Sequence, residues 1–146
     1  MLRICSRINN FYVYAFYHLR GKRHDTVTQS MIDGSLYDCL LDSIARVQPV
    51  NDKAVFVFVG DANAHRSECL ESVSPTGRHG RDDLDFCNLS GCEQLVHGPT
   101  HIAGIRLDLV MTDVPDVVDV VVGTPLGTSD HCFVSCVLRV EKSVSE

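Results

Sequence analysis

Three segments of this sequence set carboxylates and imidazoles at the margins of apolar runs. In FVFVGDANAH, residues 56–65, the apolar run stops at Gly60, and Asp61, Asn63 and His65 follow at once. Asp108 interrupts RLDLV, and Asp130 and His131 precede the apolar CFV in GTSDHCFV. Such groups are costly to bury unpaired, so each needs a partner or a task. Phosphodiester hydrolysis uses a set of this kind. A hard cation such as Mg²⁺ takes carboxylate oxygens as ligands. A carboxylate or imidazole positions and deprotonates the attacking water. Hydrogen-bonding or cationic groups, here Asn63 and His131, meet the charge that builds on the phosphoryl oxygens.

Taken singly, each segment also has a plainer reading. Gly-Asp after a strand is a common turn, Asp108 can be a satisfied structural acid, and Asp130-His131 can cap a loop. His18, His24, His79 and His97 have no partner pattern and read as surface residues. Strand geometry ties the three segments together. If Asp130 and His131 enter an extended strand at once, their side chains point to opposite faces, and His131 needs a carboxylate from elsewhere. Asp108 is the candidate, because on an apolar strand a lone charge is expensive and an imidazolium stabilises it. Asp130 is then left to face a cation or the loop, while Asp61 and Asn63 arrive from a neighbouring strand end.

The elements that must position these groups read, in order, as strand, strand, helix, strand, helix and three strands. Phe11 to Tyr17 and Ala54 to Val59 are aromatic and β-branched without polar alternation, the pattern of strands covered on both faces. Leu36, Leu40, Ile44 and Val47 recur at helical spacing behind Ser35, and Asp38 completes a capping box. A weaker helix falls between Gly80 and Gly91 around Leu84 and Phe86, with Asp82 and Asp83 near its positive end. Leu107 to Thr112, Val117 to Val122 and Cys132 to Val140 complete the strands. Gly21 to Gly34 is polar and reads as a loop, and residues 141–146 as a frayed tail. This order predicts a layered α/β fold, a mixed sheet with flanking helices. Functional groups gather where such strands end.

Length and composition fit one compact soluble domain over residues 1–146. A net charge of −6 argues against broad, non-specific coating of nucleic acid. Arg3, Arg7, Arg20, Lys22 and Arg23 nevertheless make the N-terminal segment basic. The seven cysteines include no C-x-x-C pair, which argues against a thiolate zinc site and for a reducing compartment, nuclear or cytoplasmic. Cys132 and Cys136 read as core packing. The apolar run Phe11 to Tyr17 is too short to span a bilayer and lacks a secretory cleavage site, so no membrane partner is expected.

VFVGDANAH, RLDLVMTD and GTSDHCFV, in that order and with PTHIAG ahead of the second, resemble the closing motifs of the endonuclease/exonuclease/phosphatase family. Within it they are most similar to the apurinic-endonuclease-like domain that precedes reverse transcriptase in non-LTR retrotransposons. The resemblance covers residues 8–140. It implies a layered α/β sandwich, hydrolysis of the DNA phosphodiester backbone and a Mg²⁺ or Mn²⁺ cofactor. Asp61 then matches the acid that orients or deprotonates the water, and Asn63 the amide that holds the phosphate and that acid. Asp108 matches the acid hydrogen-bonded to the catalytic imidazole, and His131 that imidazole, in contact with the scissile phosphate. Asp130 matches the metal-associated acid, helped by Asp61. Tyr17 stands where the family carries a tyrosine at the site, and Thr100 and His101 lie close by, His101 as a substrate contact.

Departures from the family pattern are specific. Tyr17 is followed by His18-Leu19-Arg20-Gly21 without the usual proline, and Ala62 replaces a bulky residue. The family's Asn-bearing first strand and its principal metal-ligand Glu have no counterpart upstream of Tyr17, and Glu68, Glu71 and Glu93 fall in the wrong chain order. The expectation is an N-terminally truncated domain with weak Mg²⁺ binding, impaired hydrolysis and an uncovered sheet edge open to association. The alternative is a non-catalytic retroelement remnant that keeps part of the fold. Phosphatase or lipid phosphodiesterase chemistry draws on the same residues. Calcineurin-type two-metal phosphatases need a later Gly-Asn-His run, which is missing.

Overall fold

The computed structural model describes residues 1–5, 9–17, 26–66 and 79–140. In chain order the elements are β1 Leu2–Cys5, β2 Asn10–Tyr17, α1 Thr26–Val47, β3 Ala54–Arg66, α2 His79–Ser90, β4 Glu93–Gln94, β5 Arg106–Thr112, β6 Val118–Pro125 and β7 Cys132–Leu138. Five strands form one sheet in the order β1-β2-β3-β5-β4, and β6 and β7 form a separate pair. β2 and β3 run parallel, with α1 in the connection between them, and the other pairings are antiparallel.

The period of two along a strand explains why β3 is apolar at every position from Ala54 to Val59. Phe56 and Phe58 face α1 and α2 and pack with Tyr37, Leu40 and Phe86. Val55 and Val57 face the other way, into a cluster with Val110 and Val118 that Val120, Val122 and Val134 of the small sheet complete. The result is three layers: helices, the five-stranded sheet, and the β6–β7 pair. Phe58 anchors the helical side, stacked on Tyr14 with ring centres 5.2 Å apart and met edge-on by Phe86 at 5.5 Å. Asn51 fixes the start of β3 by donating to the Tyr12 hydroxyl at 3.0 Å and accepting from the Lys53 amide at 3.1 Å. Among the described residues no helix is long and apolar enough to cross a membrane.

The structure departs from the sequence reading in four places. α1 begins at Thr26, so most of the stretch read as a loop from Gly21 to Gly34 is helical and Ser35 lies inside the helix. No proline interrupts residues 26–47, and extending a helix past one glycine costs far less than nucleating a new one. β3 does not stop at Gly60 but runs to Arg66, because Asp61 and Arg66 pair with Asp108 and Arg106 of β5 across an irregular stretch. β2 is covered on both faces only around Phe11 and Tyr12 and opens towards Tyr17. The two-residue β4 carries no pattern long enough to read. Residues 18–25 and the tail 141–146 lie outside the described residues, as do Arg7, Arg20, Lys22 and Arg23 of the basic N-terminal segment.

Gly60 is the point where β3 passes from apolar core to polar site. A Cβ at Gly60 would run into the Phe16 carbonyl and carbon of β2, and backbone cannot yield as a side-chain tip can. Gly60→Ala is expected to destabilise the fold by about 3 kcal/mol or more, read as a lowered thermal midpoint. A midpoint within a degree or two of the wild type would show that β2 and β3 are not paired in this register.

Candidate active site

Tyr17, Asp61 and Asp108 form one row across three adjacent strands, since Tyr17 registers with Asp61 on β2–β3 and Asp61 with Asp108 on β3–β5. Strand parity puts this row on the same face as Val57, Val59 and Val110, the face that the small sheet covers. Asp61 therefore enters the site from within a strand and not from a loop. Two carboxylates directly opposite each other repel, so the row requires a compensating charge.

His131 supplies it, delivered by the segment Pro99 to Ile105. The Thr100 side chain is fully buried, and its Oγ1 accepts from the backbone amides of Leu107 and Asp108, both at 3.0 Å. The Thr100 carbonyl accepts from the Cys132 amide at 2.7 Å, and the Ile102 amide donates to the Asp130 carbonyl at 2.9 Å. His101 and His131 lie between these two bonds as an antiparallel bridge pair, the position at which opposed side chains come closest. Their rings meet edge to face with centres 5.3 Å apart. Thr100 thus ties the strand bearing Asp108 to the strand led by His131.

His131 Nδ1 lies 3.0 Å from Asp108 Oδ2 and donates to it, because a carboxylate can only accept. On the far side of the ring, Nε2 lies 3.9 Å from Asp61 Oδ2. The hydrogen bond to Asp108 raises the pKa of His131 against the opposing effect of desolvation, and the charges of Asp61 and Asp130 add to the rise. Asp108 also borders a slot of about 300 Å³ between the sheets, walled by Val59, Val110, Cys132, Val134 and Cys136. Cys132 and Cys136 are half-buried there, and every described cysteine is free.

Asp130 is exposed, and its carboxyl is held below the ordinary range by its own backbone amide first and by His101 second. Its Oδ2 lies 3.3 Å from His101 Nε2. The opposite orientation expected for Asp130 and His131 does not hold, because Asp130 lies in the bend before β7 and both reach towards His101. Two sets of donor atoms lie mutually within 4.8 Å: Asp61, Asp108 and His131, and His101, Asp130 and His131. Mg²⁺ is commonly held by one or two carboxylates plus waters and phosphate oxygens, and Asp130 and Asp61 provide hard oxygens of that kind.

Tyr17 sits at the rim, 65% exposed. Asn63 lies on β3, but its side chain, like that of His65, is outside the described residues. Glu93 is at the far end of the sheet, opposite Thr112, while Glu68 and Glu71 lie outside the described residues. Two supports of the site, Ser129 and Gly104, were not singled out in the sequence. Ser129 Oγ accepts from the His131 amide at 3.1 Å, a serine turn two residues ahead that its spacing could have revealed. Gly104 closes the turn after His101 with φ of 76°, its amide donating a hydrogen bond to the His101 carbonyl at 2.9 Å.

No protein-family model and no curated protein matches this sequence. Among solved structures, the chain is similar to the endonuclease domain of TRAS1, a telomere-specific non-LTR retrotransposon, with a TM-score of 0.61 at 19% sequence identity. The similarity covers 96% of this chain and 63% of that one. The fold is therefore that of the retrotransposon endonuclease domain, a mixed α/β sheet with flanking helices.

In metal-free buffer, an NMR titration is expected to place the His131 imidazole above its ordinary value of 6.5, and Asp108→Asn to bring it back towards that value. Because the folded-state value is the raised one, the pair stabilises the fold in full below about pH 6.5 and loses that contribution as pH rises through the folded value. The stability gap between wild type and Asp108→Asn should narrow accordingly. An unchanged His131 titration in Asp108→Asn would contradict the pairing.

Proposed function

We propose that this chain is a metal-dependent phosphodiester hydrolase, an endonuclease of the retroelement type acting on DNA. The observation that carries this reading is the convergence of Asp61, Asp108 and His131 from three separate parts of the chain, with His131 Nδ1 3.0 Å from Asp108 and Nε2 facing Asp61. The fold similarity to a retrotransposon endonuclease domain supports it.

In this reading Asp108 fixes the ring of His131, and the imidazolium meets the charge that develops on the phosphoryl oxygens. Asp61 orients the attacking water and takes its proton. Asn63, two residues along β3, holds the phosphate and Asp61, and Tyr17 brings its hydroxyl to the rim of the same row. Asp130, with Asp61, is the carboxylate for Mg²⁺ or Mn²⁺. When bound, the cation supplies a second positive charge for the phosphate. With so few protein oxygens the cation keeps most of its waters and binds weakly.

One observation favours a second reading, a non-catalytic domain that keeps the fold. Glu93 is the only glutamate among the described residues, and on β4 it pairs with Thr112, which lies four residues along β5 from Asp108, roughly 13 Å away at the usual strand rise. It cannot join the carboxylates.

Nicking of supercoiled plasmid decides between the two. The hydrolase reading expects nicking with Mg²⁺ or Mn²⁺ and a rate reduced about 100-fold or more by Asp61→Ala and by His131→Ala. No nicking with either ion, or nicking that Asp61→Ala leaves intact, would reject it in favour of the second reading.

A further inference from the structure

We propose that His101 is the positioning residue for Asp130: a neutral imidazole that donates from Nε2 to one carboxylate oxygen and leaves the other for a divalent cation. This rests on the reading above in which Asp130 serves the cation.

The argument begins with Asp130 itself, whose side chain is 65% exposed on the loop before β7. A carboxylate so placed loses rotamer freedom when it binds a cation unless something has already ordered it. The turn that follows Thr100 contacts it at two points. The Ile102 amide holds its carbonyl at 2.9 Å, and His101 Nε2 meets its Oδ2 at 3.3 Å.

The tautomer of His101 is set by the same turn. The Ala103 amide donates to His101 Nδ1 at 3.1 Å, so Nδ1 carries a lone pair and a neutral ring carries its proton on Nε2, facing Asp130. The ring is packed, with its side chain 18% exposed and edge to face with His131. Backbone thus fixes the ring, and the ring fixes the acid. Outer partners of this kind orient metal-binding carboxylates and tune them.

Two other roles fit less well. As a substrate contact, which the sequence resemblance implies, His101 would need a free ring nitrogen, and both are engaged within the chain. As a direct metal ligand alongside Asp130 and His131, it would need its lone pair on Nε2. Its proton would then sit on Nδ1, opposed to the Ala103 amide.

The test uses the full chain and Mn²⁺ alone, with free ion counted by electron paramagnetic resonance, and reads the His101 tautomer from long-range proton–nitrogen NMR correlations. His101→Phe keeps the ring and loses the donor, and is expected to weaken Mn²⁺ binding about 10-fold or more. His101→Gln restores an N–H at similar reach and is expected to stay within about threefold of the wild type. The wild-type ring is expected to carry its proton on Nε2. Wild-type affinity in His101→Phe, equal losses in His101→Phe and His101→Gln, or a proton on Nδ1 would each overturn the positioning role. Asp130→Asn separates this from the underlying reading: if it binds Mn²⁺ as tightly as the wild type, Asp130 is not the cation's carboxylate at all. Should His101→Phe fail to fold, by circular dichroism, the tautomer and His101→Gln still decide.

Discussion

One imidazole held between two carboxylates is the interaction on which the rest of this structure depends. Asp61 and Asp108 register directly across β3 and β5, with side chains only 14% and 20% exposed. Two partly buried like charges at that spacing repel each other. His131 removes the conflict by bonding to one and facing the other. The sheet can then end in a polar row while its middle stays apolar. The same two carboxylates that repel in isolation become a site when the ring is present.

Much of the machinery around the site exists to bring that ring to that row. His131 immediately precedes β7 of the small sheet, whereas Asp61 and Asp108 belong to the large one, so no single sheet's hydrogen bonds fix their separation. Thr100 closes the gap. Its side chain bonds to the backbone at Asp108 and its carbonyl to the backbone at Cys132. The apolar clusters on the two faces of β3 give the sheets a common spine but no directional information. A buried hydroxyl with two accepted bonds supplies the direction.

The residues that could be read in the sequence were those whose pattern is local. The apolar run of β3 was legible because burial on both faces leaves an uninterrupted string of β-branched and aromatic side chains from Val55 to Val59. The pairing of Asp108 with His131 was legible because an acid on an apolar strand and a histidine beside a strand each require a partner. What stayed hidden depends on register between distant segments. That β3 continues past Gly60 follows from where Arg66 meets Arg106, which no window of sequence around Asp61 contains. That α1 starts at Thr26 follows from helix propagation through residues with no capping pattern of their own. The alternation assumed for Asp130 and His131 failed because the bend before β7 is a loop, and period two holds only inside a ladder.

The site therefore has two halves of different stiffness. His131, Asp108 and Asp61 are fixed by strand pairing and by a buried threonine, so moving them means disturbing the sheet. Asp130 is held from outside by one turn, through an imidazole and a backbone amide. Local free energy of opening scales with buried contacts and protected hydrogen bonds, and the tip of that turn is exposed. Ile102 in the turn is 68% exposed, where Thr100 at its base is fully buried. Substitutions in the turn can loosen Asp130 while the imidazole stays between its carboxylates, and a change at Thr100 disturbs both halves together. The chemistry that needs a rigid charge is thus built on the sheet, and the group left to meet a hydrated cation is placed where adjustment is cheapest.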